Sequence, residues 1–334
     1  MKKSKGMQLG ALLAALLIVS IAFVAVVSAQ GANEQTKVVK SGKIMTPDRR
    51  HIMNESDFDK AIIESGTVKI PKTSSIAERL DATKKAMDKL SKKIKVPDNE
   101  VLDMSCDYVA EECSYRVGNL VKASAGDALP AINGWTERAR DINSAGNTLF
   151  EGIWNVPSAP LDLASPHQTI FYFTAMQNSE NSGASILQPV LEWGQNGRNS
   201  WDISSWYGIN GSYFHNETIT RVNVGDSIYG YMQLQTAQPT HWLIWTYDIN
   251  SGVASSKYAY TNLKFPNSYV TLESYNINNC RQLSGGNDFT NLHLAGRTPS
   301  WTSWINQSAT AACGTMGVNI RSPSEVILQT GRMP

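Results

Sequence analysis

The sequence predicts an all-β fold, an antiparallel β-sandwich, preceded by a partly helical N-terminal region. Three observations predict it. From about Ala131 onward, nine short runs rich in β-branched and aromatic residues are separated by turn signals such as NSG, QNG, NVGD and INSG. The chain's nine Trp and twelve Tyr crowd mainly into the same half, among frequent Asn, Ser, Thr and Gly. That is the mixture of strand formers and turn formers a sandwich requires. No segment recurs at a fixed period, which argues against a propeller or a solenoid.

Along the chain, MKKSKGMQ is basic, LGALLAALLIVSIAFVAVVSA is apolar, and Val27-Ser28-Ala29 supplies small residues before a cut. Residues 1–29 therefore read as a signal peptide cleaved after Ala29. The other reading is a membrane anchor through residues 9–29. Both place the rest of the chain outside the cytoplasm, secreted or extracellular.

Residues 30–130 are charged and lysine-rich and read as a pro-segment or spacer. SSIAERLDATKKAMDKLSKKIKV (74–96) has a Ser N-cap and apolar residues Ile76, Leu80, Met87, Leu90 and Ile94 at helical spacing. Thr83 is the one polar residue in that stripe. DYVAEECSYRVGNLV (107–121) reads equally as helix or strand, and MTPDRRH and VPDNE read as linker.

Residues 131–334 form the expected sandwich. Its strands are TLFEGIWNV, TIFYFTAMQ, ASILQPVLEW, WDISSWYGI, TITRVNV, SIYGYMQLQ, HWLIWTYDI, SSKYAYTNL and YVTLESYNI. In SIYGYMQLQ, Ile228, Gly230, Met232 and Leu234 share a face. In YVTLESYNI, Val270 and Leu272 point to the core, while Tyr269, Thr271, Glu273 and Tyr275 form a polar, aromatic face. Pro189 interrupts ASILQPVLEW and is expected at an edge or a bulge.

Several function classes are excluded. The chain carries a net charge of +1 with 18% charged residues, so no global field favours nucleic acid. There is no G-x-S-x-G elbow, no P-loop lysine, no CxxC and no HExxH, and the five His are scattered. No cofactor and no metal site is expected. The four cysteines suit an oxidising compartment. Cys106–Cys113 and Cys280–Cys313 are the preferred of three pairings, because each joins neighbours in sequence. Asn54, Asn210, Asn216 and Asn306 head glycosylation sequons.

Carboxylates, amides and aromatic platforms remain. Gln188 and Glu192 stand in one strand and Glu273 in another. Gln188 and Glu273 read either as solvated residues of an outer sheet face or as a working pair. Trp135, Trp201, Trp206 and Tyr207 read either as core or as a cleft for an extended peptide or sugar rings.

From Asn133 onward the order of segments resembles the glutamic peptidases of the eqolisin family. NGWTERARD with FEGIWNVPSAP, then ASILQPVLEWG, WDISSWYG, VNVGDSIYG and YVTLESYNI are similar to successive motifs of that family, over roughly residues 133–320. The resemblance implies a lectin-like, concanavalin-type sandwich and a secreted endopeptidase-like hydrolase acting on polypeptides. It implies Gln188 and Glu273 as the catalytic pair. Glu273 would take a proton from water and later protonate the leaving amine, and Gln188 would hold that water and donate to the oxyanion. Trp135, Trp206 and Tyr207 would line the substrate cleft, with Glu192 beside them, and Glu192 with Glu273 would form the less expected dyad of glycosidase type. An inhibitory pro-segment would be trimmed near 120–132, its basic helix covering an acidic cleft. The rival is a non-catalytic sandwich that binds a cell-surface glycan or protein.

Overall fold

Two antiparallel sheets pack face to face in this computed structural model, which describes residues 43–47, 51–96, 100–125, 132–164, 167–181, 183–214, 220–236, 238–306, 313 and 316–330. The apolar segment 1–29 and the sequon at Asn216 lie outside the described residues. Everything described belongs to one unit, Lys40–Pro334.

The front sheet runs, in spatial order, Thr302–Ile305, Ile132–Asn147, Phe265–Ile277, Thr169–Gln177, Ile186–Trp193, Trp201–Ile209, Ser212–Phe214 and Val121–Lys122. Thr220–Val222 pairs beside Trp201–Ile209. The back sheet runs Val318–Ser322, Glu325–Leu328, Asn287–Leu294, Leu149–Asn155, Ser227–Leu234, His241–Asp248, Val253–Tyr260, Glu100–Asp107, Glu112–Asn119 and Ile62–Lys69. The antiparallel sandwich expected from the sequence is the fold observed.

Strand alternation divides the side chains as a period of two requires. Leu187, Leu191 and Trp193 enter the core between the sheets, together with Val270 and Leu272, Ile228 and Met232. Ile186 and Val190, with Tyr269 and Tyr275, enter a second apolar cluster on the outer side of the front sheet. Both faces of Ile186–Trp193 are thus buried, and all eight of its residues are inaccessible.

Pro189 is neither at an edge nor in a bulge. It lies in a strand with neighbours on both sides, and the register from Ile186↔Gly208 to Trp193↔Trp201 is unbroken. A central proline removes a ladder donor, and polar groups of the back sheet step in at this point. Ser205, opposite Pro189, donates its N–H to Ser255 Oγ at 2.9 Å, and its hydroxyl donates to Ser255 O at 2.9 Å. Gly230 of the back sheet leaves room for Pro189, since a Cβ there would meet the proline ring at 2.9 Å and run into the Trp154 indole.

The N-terminal region departs most from expectation. The helix forms, as Ile76–Ile94, with a complete capping box between Ser75 and Glu78. Thr83, the odd residue in its stripe, is buried and hydrogen-bonds Tyr108 through its hydroxyl. Met87 and Leu90 pack on Leu102, Met104, Trp245 and Tyr258, the outer face of the back sheet. Lys84 donates to Tyr231 Oη at 3.0 Å and Gln233 Oε1 at 2.7 Å. The basic helix therefore covers an aromatic face of the back sheet and not an acidic cleft.

The expected boundary near residue 131 does not divide the sheets either. Glu100–Asp107, Glu112–Asn119 and Ile62–Lys69 extend the back sheet beyond Val253–Tyr260. The undecided segment 107–121 is strand from Glu112, and trimming near 120–132 would strip this edge away. Both expected disulfides are present, and Cys106 and Cys113 are directly opposed in the ladder.

A buried ion pair ties this added edge to the sandwich interior. Lys257 Nζ lies 3.0 Å from Asp103, with Arg116 3.4 Å from the same carboxylate, and both Lys257 and Asp103 are at most 1% exposed. Removing the anion leaves a buried cation without its partner. We expect Asp103→Ala to lower the unfolding free energy by roughly 3–5 kcal/mol in urea titrations. The double variant Asp103→Leu/Lys257→Met should lose less than the single one.

Candidate functional site

The outer face of the front sheet brings Asp202, Glu192, Glu273 and Gln188 together, all buried, and the strand register fixes how. Glu192 is opposite Asp202 on one side and Phe171 on the other. Phe171 is opposite Glu273, and Glu273 is opposite Trp135. Asp202, Glu192, Phe171, Glu273 and Trp135 therefore form one row across five strands. Glu192 and Glu273 stand two strands apart, roughly 10 Å at the backbone.

Gln188 shares this face but belongs to a second row, level with Trp206. It sits four residues along the strand from Glu192, about 13 Å. The register brings Glu192 and Glu273 to one level and leaves Gln188 and Glu273 at different levels of the same face.

Two of the three carboxylates are held by ring donors. Glu273 Oε2 accepts from Trp135 Nε1 at 3.1 Å, and Tyr275 donates its hydroxyl to Oε1. Glu192 Oε2 accepts from Trp206 Nε1 at 3.3 Å. Trp135 and Trp206, expected to line a cleft, both lie on this outer face, each donating to one carboxylate. Tyr207 does not. As the residue after Trp206 it points the opposite way, into the core between the sheets, where Trp201 also lies.

Nor are these groups solvated. Gln188 and Glu273 are fully buried and Glu192 is 3% exposed. The cover comes from the segment that reads as linker in the sequence. Lys43–Met45 and His51–Asn54 form a hairpin, continued by the helix Glu55–Ala61. Met45, Met53 and Phe58 bury their side chains in the cluster containing Phe171, Phe173, Ile186, Val190 and Trp206. Gln188 donates its Nε2 to the carbonyl of Pro47, and Gln195 donates to the carbonyl of Met45 at 3.4 Å. Gln188 Oε1 has no hydrogen-bond partner among the described residues.

Burial sets the electrostatics. Loss of water pushes the Glu192 carboxyl up to about 7, with the Arg198 charge and the Trp206 hydrogen bond pulling the other way. Asp202 rises to about 6 through burial and then through the neighbouring Glu192 charge, opposed by Arg198 and Arg221. The adjacent pair can thus retain a proton near neutrality. Chemically, the face offers a shared-proton acid pair, a third carboxylate oriented by an indole and a phenol, and an amide that donates to a carbonyl. Among the described residues no cluster has the composition of a metal site.

Asp202, Gln195 and Phe171 do not stand out in the sequence. A signal for Asp202 exists: a hairpin turning at QNG, whose glycine is Gly197, puts residues 192 and 202 opposite each other. Nothing local points to Gln195 or to the hairpin cover.

No protein-family model matches the chain, and no curated protein matches it. Among solved structures, scytalido-glutamic peptidase with a transition-state analogue inhibitor is similar at 16% identity and a TM-score of 0.42, covering 59% of this chain and 98% of that one. SCP-B, a member of the eqolisin family in complex with the tripeptide Ala-Ile-His, gives 16% identity, a TM-score of 0.41 and the same coverage. A Bacillus licheniformis β-glucanase gives 11% identity and a TM-score of 0.28, covering 57% of this chain and 69% of that one. These are distant likenesses of fold.

The raised carboxyls make stability depend on pH in a defined direction. A carboxyl whose folded value exceeds its unfolded value stabilises fully below about 4.5, and that contribution is lost as pH rises through about 7. For Glu192 the shift corresponds to roughly 3 kcal/mol. We expect a higher Tm at pH 4.5 than at pH 7.5, and expect Glu192→Gln to narrow that difference in calorimetric scans.

Proposed function

We propose that the outer face of the front sheet is the cleft of a glutamic-type hydrolase that acts on polypeptides outside the cytoplasm. The observation carrying this reading is the contact between Gln188 Nε2 and the carbonyl of Pro47. An amide side chain donating to a peptide carbonyl on a face lined with carboxylates is what a peptide-bond hydrolase needs to bind and polarise its substrate. The two gripped carbonyls, of Met45 by Gln195 and of Pro47 by Gln188, bracket the level of Glu192 and Glu273. A peptide lying where this segment lies crosses the carboxylate row.

In this mechanism Gln188 donates to the scissile carbonyl and to the oxyanion that forms when water attacks it. Gln188 and Glu273 stand two strands and four residue levels apart on this face. The open cleft therefore has to draw their side chains together before Glu273, held by Trp135 and Tyr275, can take the proton from that water and return it to the leaving amine. Glu192 and Asp202 keep a proton between them and limit the negative charge facing the oxyanion. Both disulfides fit an oxidising compartment.

One observation favours a second reading: Glu192 and Glu273 occupy one level with a single strand between them, the disposition of a two-carboxylate glycosidase. Substitutions separate the two. Using a chain loosened at the cover by Phe58→Ala, with an unfolded protein as substrate at pH 3–6, Gln188→Ala and Glu273→Gln should each lower kcat by about 10²–10³-fold. If Glu192→Gln and Glu273→Gln abolish hydrolysis of a glucan while Gln188→Ala is mild, the carboxylate pair is the working one. No hydrolysis of either substrate, with peptide binding intact, identifies a non-catalytic binding module.

A further inference from the structure

The strands that the N-terminal region adds to the back sheet end in an open edge. Among the described residues, Ile62–Lys69 pairs with Glu112–Asn119 on one side and with no strand on the other. Ile70, just beyond it, donates its N–H to Glu111 O at 3.1 Å. In an antiparallel ladder the N–H and C=O of one residue point to the same side, and the side alternates along the strand. Val68 therefore bonds inward, as Ile70 does, whereas Thr67 and Lys69 turn their N–H and C=O outward. Such a row of unpaired main-chain groups is the part of a sheet that accepts a further strand. Ile63, 57% exposed on the same strand, adds an uncovered apolar side chain to this edge.

A groove of about 410 Å³ follows the edge, between residues 68–73 and the helix Ile76–Ile94. Val68 and Ile70 line it from the strand side and Ala82 and Ala86 from the helix, but no residue of Glu112–Asn119 does. The groove thus lies beside the free edge and not over the sheet. Ala82 and Ala86 are buried one helical turn apart, and their short side chains leave the space that longer ones would fill. The helix face from Glu78 to Lys89 is about 17 Å long, room for about five extended residues.

The charges along the groove do not cancel. Glu78 is occupied by the N–H groups of Ser74 and Ser75, at 2.7 and 3.2 Å. Asp81 pairs with Lys85 at 2.6 Å, and Lys69 pairs with Glu112 at 2.8 Å. Lys72 and Lys89 also line the groove, and neither makes an ion pair among the described residues. Lys72 precedes the helix and Lys89 lies about three turns beyond Glu78, so the unmatched positive charge is spread along the groove.

We propose that the edge at Thr67 and Lys69, with its groove, is a docking site for an extended acidic segment of another polypeptide, which adds to the back sheet as a strand. The segment's main chain bonds the outward groups of Thr67 and Lys69. Its small apolar side chains reach the floor at Ala82 and Ala86, and its carboxylates meet Lys72 and Lys89. The site lies on the other sheet from the carboxylate row and does not depend on hydrolysis there.

The test uses the full chain and the fluorescent peptide Glu-Thr-Val-Thr-Val-Thr-Glu, followed by anisotropy. Its valines and glutamates share one face of a strand. Exchanging the glutamates for lysines should abolish binding. The double variant Lys72→Glu/Lys89→Glu should weaken it by about tenfold, and added salt should weaken it too. Lys93→Glu, exposed on the same helix but outside the groove, should leave it unchanged. Thr67→Pro removes one outward donor at an edge position, where proline is tolerated, and should cost about three- to tenfold. Equal affinity for the two peptides, or no binding of the acidic one, overturns the proposal. A wild-type dimer that Thr67→Pro dissociates gives the edge to a second copy of this chain and overturns it as well. Hydrogen exchange on the wild-type chain decides the matter should Thr67→Pro fail to fold. The acidic peptide should slow exchange of the Thr67 and Lys69 amides and leave those of Val68 and Ile70 as they were, whereas no added protection at Thr67 and Lys69 overturns the proposal.

Discussion

The central strands of the front sheet, Thr169–Gln177, Ile186–Trp193 and Trp201–Ile209, are buried on both faces, and that constraint governs the rest of the molecule. The sheet's inner face is covered by the back sheet in the ordinary way of a sandwich. Its outer face carries three carboxylates, an amide and two indoles that together cannot lose water without partners. Each indole donates to a carboxylate, a phenol donates to Glu273, and the amide of Gln188 reaches a carbonyl supplied by the N-terminal hairpin. Take the hairpin away and this face is a wet, polar and aromatic groove. Leave it in place and the same residues are a sealed polar layer.

The sealing explains the electrostatics. Glu192 and Asp202 are raised because water is excluded from them, and Asp202 further because it faces the Glu192 charge. A protein built this way is favoured by acid, the condition in which a carboxylate row carries fewest unbalanced charges. Stability and the chemistry proposed for the row then depend on the same protons. Opening the cover would return water to the row and draw the carboxyls back toward their ordinary range.

What can be read in the sequence is what local periodicity carries. The alternation in 269–275 places Glu273 with Tyr269 and Tyr275 and against Val270 and Leu272, and the structure keeps that division. The helix, its cap and both disulfides are legible for the same reason: spacing within a short window decides them. The same rule removes Tyr207 from the outer face, because it follows Trp206 and adjacent strand residues face opposite ways. Pro189 defeats the local reading because its compensation is not local. The groups that tolerate a central proline, Ser255 and Gly230, come from the other sheet. The strand Glu100–Asp107 is hidden by Asp103, a charge that looks solvated until its partner Lys257, 154 residues away, is known. Met45, Thr46 and Pro47 look like linker because nothing in them shows that they lie over a polar face made by strands far along the chain.

Everything proposed for the outer face depends on residues 43–47 and 51–61 closing it over the carboxylate row. The most direct measurement is hydrogen exchange of the indole N–H groups of Trp135 and Trp206, followed by proton–nitrogen correlation spectra of the full-length chain. Both indoles donate to buried carboxylates beneath the cover, so both resonances should persist for hours after transfer to heavy water. Loss of both resonances within the first spectrum, with the backbone amides of Ile186–Trp193 still protected, would show the face open to solvent and contradict the closed cover.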